Sequence, residues 1–101
     1  MIKGKVGQRF YDPDNPEGVV YEVDGFIEGG LGVARSSRSP SVWTITHLQS
    51  GRAVCPKAFN LRRDALSAMQ KFLATGIDWT KGKDEIDTEE HRRVVTELGL
   101  W

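Results

Sequence analysis

The chain has 101 residues, 39% hydrophobic and 28% charged, with acidic and basic side chains in equal number. This predicts one domain, 1–101, around a single core; no apolar run is long enough to span a membrane, and "MIKGKVGQRF" has no secretory apolar stretch. Cys55 is the lone cysteine and no CxxC or CxxH pair occurs, so the expectation is a cytoplasmic protein with no disulfide, no metal and no cofactor.

Charge is unevenly placed along the chain. Lys3, Lys5 and Arg9 open it. Residues 12–28 carry Asp12, Asp14, Glu17, Glu22, Asp24 and Glu28 without a base. Residues 29–63 carry Arg35, Arg38, Arg52, Lys57, Arg62 and Arg63 without an acid. Such asymmetry either neutralises itself between neighbouring strands or marks an interaction surface.

"FYDPDNPEG" is dense in turn formers: two prolines fix φ, while Asp12, Asp14 and Asn15 can bond their own backbone. "VVYEVDGFIEG" alternates Val19, Tyr21 and Val23 with Val20, Glu22 and Asp24, the period of a half-buried strand; Gly25 reads as a bulge. "GGLGVA" is a turn and a short strand. "RSSRSPS" follows, long and serine-rich for a hairpin connection, and predicts a flexible, exposed contact loop. "SVWTITHLQ" is the strongest strand. Ser50 and Gly51 form a hairpin turn, and "RAVCPKAF" returns as its partner, with His47 opposite Val54.

Asn60 is a candidate N-cap. "LRRDALSAMQKFLAT" then forms a helix closed by Gly76 (60–76), with Leu61, Ala65, Ala68, Met69, Phe72 and Leu73 as its apolar stripe. Ile77 and Trp79 tuck onto the core. A second helix spans 87–99, opened by Asp87 with Glu90 as a variant capping box. Its narrow apolar side is Val94, Val95 and Leu98, and His91 is expected in solvent. Trp101 is either packed or offered to a partner. Strands and turns fill 1–59 and the helices follow, which predicts an α+β fold: an antiparallel sheet of three or four strands backed by one main helix, plus a short C-terminal helix.

Catalytic constellations are lacking. Cys55 and His47 fall on opposite faces of the predicted hairpin, with no third group to orient the imidazole. "DPDNPEG" breaks the EF-hand spacing at Pro16. "EGGLG" lacks the Gly-Lys-Ser/Thr ending of a phosphate loop. Binding is left. Arg35, Arg38, Arg52, Lys57, Arg62 and Arg63 can supply phosphate forks around a sheet. Arg62 and Arg63 lie in a first helical turn, where the dipole disfavours them, and either salt bridges to the acidic segment or a polyanion would justify them.

"VWTITHLQSGRAVCPKAFNLRRDALSAMQKFLATGIDW", Val42 to Trp79, resembles the strand–hairpin–strand–helix pattern of small phage and prophage accessory proteins. It is also similar to the arm-type DNA-binding domain of phage tyrosine integrases, in which a three-stranded sheet reads DNA. The chain departs from that pattern at "CPKAF", which puts a proline in the third strand, and in its acidic segment 12–28. The resemblance implies a mobile-element protein. The expected function is therefore non-enzymatic nucleic-acid binding through the six basic residues. The alternative is an inhibitor of a host complex, binding protein through Asp12, Asp14, Glu17, Glu22 and Asp24 or through Trp101.

Overall fold

The computed structural model describes all 101 residues. Four strands, β1 (Ile2–Asp12), β2 (Asn15–Glu28), β3 (Leu31–Arg35) and β4 (Trp43–His47), form one antiparallel sheet in the order β1-β2-β3-β4. Helices α1 (Arg62–Leu73) and α2 (Thr88–Leu98) follow, with one 3-10 turn at Lys83–Glu85 between them. This is the expected α+β arrangement. No helix is long and apolar enough to cross a membrane.

Turn chemistry explains the first two hairpins. Asp12 accepts the Asp14 N–H at 2.9 Å and Asn15 accepts the Glu17 N–H at 3.1 Å, which closes the acidic turn between β1 and β2. Gly29 and Gly30 both have positive φ and join β2 to β3. A Cβ on Gly30 would also lie 2.4 Å from the Trp79 carbonyl oxygen. Gly25 is not a bulge. It pairs in register with Gly4 and Ala34. A Cβ there would meet the Val33 carbonyl oxygen at 2.4 Å, so the site needs glycine for close backbone approach. The actual irregularity lies between Phe10 and Asp12.

The second half of β1 folds across the end of β3 and the turn after β4. The Arg9 N–H donates to the Gly51 carbonyl at 2.7 Å. Gln8 is buried; its amide donates to the Arg35 carbonyl at 2.9 Å and accepts the Ser37 N–H at 2.8 Å. Val6, fully buried, fills the bend against Gly25 and Gly32. "RSSRSPS" is therefore not slack. The buried Ser36 hydroxyl accepts the N–H groups of Arg38 and Ser39, and the Ser36 N–H reaches the Val42 carbonyl. The serine-rich composition suggested flexibility, but these hydroxyl and backbone bonds hold the loop.

"RAVCPKAF" is not a strand. It touches β4 only at the bridges Thr46–Ala53 and Trp43–Phe59, and bulges away between them. Pro56 has no N–H to donate. Lys57 donates its N–H to the Leu100 carbonyl, outside the sheet. The turn is also longer than two residues: His47 stands opposite Arg52, not Val54, as its N–H bond to the Arg52 carbonyl shows.

Helix α1 is capped at Leu61, whose extended backbone contributes no side-chain bond; Asn60 lies one residue too early to cap. Leu61 is 46% exposed and so leaves the apolar stripe. Ala65, Ala68, Met69 and Phe72 are buried as expected. The helix stops at Leu73, with Ala74 as C-cap, two residues before the left-handed Gly76. In α2, Asp87 accepts the Glu90 N–H at 3.0 Å and Gly99 ends the helix in the left-handed region, both as expected.

One apolar cluster joins the layers: Leu31, Val33 and Ile45 of the sheet, Val54, Cys55 and Phe59 of the connection, the α1 stripe, Trp79, and Val94 and Val95 of α2. Trp79 is its hub. Its indole N–H donates to the Phe72 carbonyl at 3.0 Å and its ring meets Phe72 edge-on at 5.7 Å. His91 is half-buried rather than solvated: its ring packs edge-on to Trp79 at 5.2 Å and Nε2 donates to the Val54 carbonyl at 2.7 Å.

Candidate nucleic-acid interface

The register decides which side chains share a face. Phe26 pairs with Lys3 on one side and Val33 on the other, and Val33 with Ile45. Val33 and Ile45 are buried in the core that α1 covers, so Lys3 and Phe26 continue that same face beyond the helix. Lys5, paired with Asp24, and Arg35, paired with Trp43, lie on it too, two residues along each strand.

Two arginines lie on aromatic rings of this face. The Arg35 guanidinium is 4.9 Å from the Trp43 ring centre, and Arg62, at the start of α1, is 5.3 Å from that of Phe26. Between them runs a groove of about 320 Å³ lined by Lys3, Gly4, Asp24, Gly25, Phe26 and Trp43. Arg35 gives one N–H to the Pro40 carbonyl at 2.7 Å. Neither arginine has a carboxylate within salt-bridge distance. A guanidinium held over a ring by that contact still has N–H groups to offer and loses little rotamer freedom when it meets a phosphate.

One carboxylate faces the groove. Asp24 is bonded to Lys5 at 2.6 Å; this bond, with the attraction of the ammonium, holds the Asp24 carboxyl below its ordinary range and the Lys5 ammonium above its own. Lys5 thereby offsets part of the repulsion an anionic ligand would meet.

The remaining predicted cations lie elsewhere. Arg38 rests on the other face, 4.4 Å over Phe10, and donates to the Tyr11 carbonyl. Arg52 lines a cavity of about 160 Å³ with His47, Ser50, Trp79, Lys83 and His91. Lys57 is exposed in the connection near Leu100. Arg63 is exposed and 3.9 Å from Asp64. The six residues thus divide into separate regions, with Arg35 and Arg62 sharing one.

His47 is a buried structural histidine. Its Nε2 donates to the Lys81 carbonyl at 2.8 Å, which leaves Nδ1 to accept the Ser50 hydroxyl at 2.8 Å. Ser50 Oγ also accepts the Arg52 N–H, so the trio closes the turn and ties it to the segment before α2.

The acidic candidates are dispersed along the β1–β2 ribbon. Asp14, Glu17, Glu22 and Asp24 are exposed, and Asp12 is half-buried. Only Asp24 of these five has a cation within 4.0 Å, so mutual neutralisation of the charged segments is limited to the Lys5 pair and to Glu28 with the chain's amino terminus. Trp101 is 59% exposed, its indole N–H bonded to Thr96 Oγ1. Sequence reasoning missed Lys3, Phe26 and Trp43 as groove residues. For Phe26 the signal was present in the Gly29–Gly30 turn, which fixes the register placing it beside Val33; the Lys3 pairing is set across the irregular acidic turn and had no such signal.

No family model, curated protein or solved structure matches this chain.

Proposed function

We propose that this is a non-enzymatic, phage-type accessory protein that binds nucleic acid on the sheet face beside α1, with Arg35 and Arg62 as its principal phosphate contacts. The observation that carries this reading is the pair of ring-supported guanidiniums, unpaired with any carboxylate, on either side of a groove that Lys3 also lines. Single strands suit the groove because backbone contact from cations beside aromatic rings needs no base-edge reading. Arg38, Arg52, Lys57 and Arg63 add a diffuse positive field that aids encounter. The lone buried Cys55 accords with a reducing, cytoplasmic setting.

The test is fluorescence anisotropy of mixed-sequence single-stranded DNA, single-stranded RNA and duplex DNA at two salt concentrations. Binding should weaken steeply with salt. Arg35→Ala with Arg62→Ala should flatten the salt slope by about two units, whereas Arg38→Ala should change binding less. Absence of binding to all three at low salt overturns the reading.

A second reading, an inhibitor that binds a host protein, is favoured by one observation: Asp14, Glu17 and Glu22 are exposed without cationic partners.

A further inference from the structure

Strand β2 has 14 residues and β3 only five. Their pairing covers Gly25 to Glu28 and stops. From Val19 to Asp24, β2 is bonded along one edge only, to β1; Pro16 to Gly18 bulge out of the ladder, with Gly18 at positive φ and the Glu17 carbonyl taken by the Arg9 guanidinium. No backbone bond from any loop reaches its other edge. β1 cannot exchange roles with it, because Arg9 and Gln8 tie β1 to Gly51 and to the loop after β3. The molecule therefore presents an open strand edge, with alternate N–H and C=O groups directed outward.

The two faces of that edge differ in chemistry. The register Arg9–Val20, Gly7–Glu22 and Lys5–Asp24 puts Val20, Glu22 and Asp24 on one face. Phe10–Val19, Gln8–Tyr21 and Val6–Val23 put Val19, Tyr21 and Val23 on the other. Tyr21 is 50% exposed and packs against Phe10 with ring centres 6.0 Å apart. An added strand would extend both rows: its residues on one face beside Glu22 and Asp24, those on the other beside Val19, Tyr21 and Val23.

We propose that the β2 edge from Val19 to Asp24 is a strand-addition site for an extended segment of another protein that alternates Lys or Arg with apolar residues. Charge excludes the simplest other occupant. Pairing of two copies along this edge would bring Glu22 and Asp24 of one chain beside the same carboxylates of the other. A nucleic acid would meet that repulsion as well. The site meets the groove of Arg35 and Arg62 only at Asp24, whose carboxylate is bonded to Lys5, and pairing along the edge does not depend on nucleic-acid binding.

The probe is a fluorescent seven-residue peptide alternating Val and Lys, mixed with the full chain. It should bind and slow amide hydrogen exchange within residues 19–24. Glu22→Lys, at an exposed position, should weaken binding at least tenfold, while Arg35→Ala with Arg62→Ala should leave it unchanged. The same peptide N-methylated on the amides facing β2 keeps its charge but cannot pair, and should not bind. Equal binding of the methylated peptide would overturn strand addition in favour of charge adhesion. Absence of peptide binding would leave the carboxylates only the task of keeping the edge from self-pairing. A concentration-dependent dimer that itself protects residues 19–24 would make a second copy the occupant. Either result overturns the proposal.

Discussion

Cys55 shows what burial does to one reactive group. It is 5% exposed, its thiol faces the Lys57 carbonyl at 3.7 Å, and desolvation pushes its pKa up to about 11. The thiolate is the nucleophile, so a neutral disulfide should label the native protein slowly at pH 7 and the unfolded protein fast. Stoichiometric labelling of the folded chain within minutes would contradict the burial. The folded pKa is raised above the unfolded value, so the folded state holds the proton longer. Its contribution to stability is intact below about pH 8.5 and is lost as pH rises toward 11. Urea midpoints across that window should therefore fall less steeply in Cys55→Ala than in the parent. The burial of Cys55 was legible, since a lone cysteine is among the most buried residue types. The role of His91 was not. Its partners Trp79 and Val54 lie 12 and 37 positions away, and nothing local distinguishes a packed histidine from a solvated one.

Elements were legible where local chemistry is self-contained. The acidic turn, the Gly29–Gly30 turn, β4 and the Asp87 cap each carry their own signal within four or five residues. β1 escaped notice because its pattern is broken: Gly4 and Gly7 occupy strand positions, and the buried Gln8 stands where an apolar residue would reveal the period. A Cβ on Gly4 would lie 2.9 Å from the end of the Ile27 side chain across the ladder, a neighbour only the pairing shows. The segment after β4 was misread for the opposite reason. Its composition suits a strand, but Pro56 and the demands of packing Cys55 and Phe59 pull it away from the sheet. The start of α1 allows a direct test. Leu61 has the extended backbone of an N-cap and an exposed side chain, but no oxygen to offer the first-turn N–H groups. Leu61→Asp should stabilise the protein by about 0.5–2 kcal/mol, read as a higher urea midpoint at unchanged m-value. An unchanged or lower midpoint would show that the half-exposed leucine contributes more by packing than a cap would.

At the scale of the whole molecule, the groove, the open β2 edge and the core are linked through the same few residues. Phe26, under Arg62, belongs to β2; Val33 beside it belongs to the core; and α1 packs on that core through Phe72, whose carbonyl holds Trp79. The groove half was partly legible, since the arginines stand out in sequence, but the ring beneath each could not be known without the register. The linker and α2 complete the core through Trp79, Val94 and Val95, and His91 and Leu100 bond the connection that holds Cys55. Such interlocking predicts one cooperative unit, residues 1–101, with no separately unfolding α2. Far-UV circular dichroism and the rate of Cys55 trapping should therefore report the same urea midpoint. Phe72→Ala, at a fully buried site, should lower stability by about 3–5 kcal/mol and shift both midpoints together. If α2 frays alone, it uncovers the connection at Val54 and the neighbouring thiol first. Trapping would then begin well below the dichroism transition, and Phe72→Ala would move the dichroism curve but not the early labelling. That separation would make α2 an independent flap over a smaller core instead of a wall of the only one.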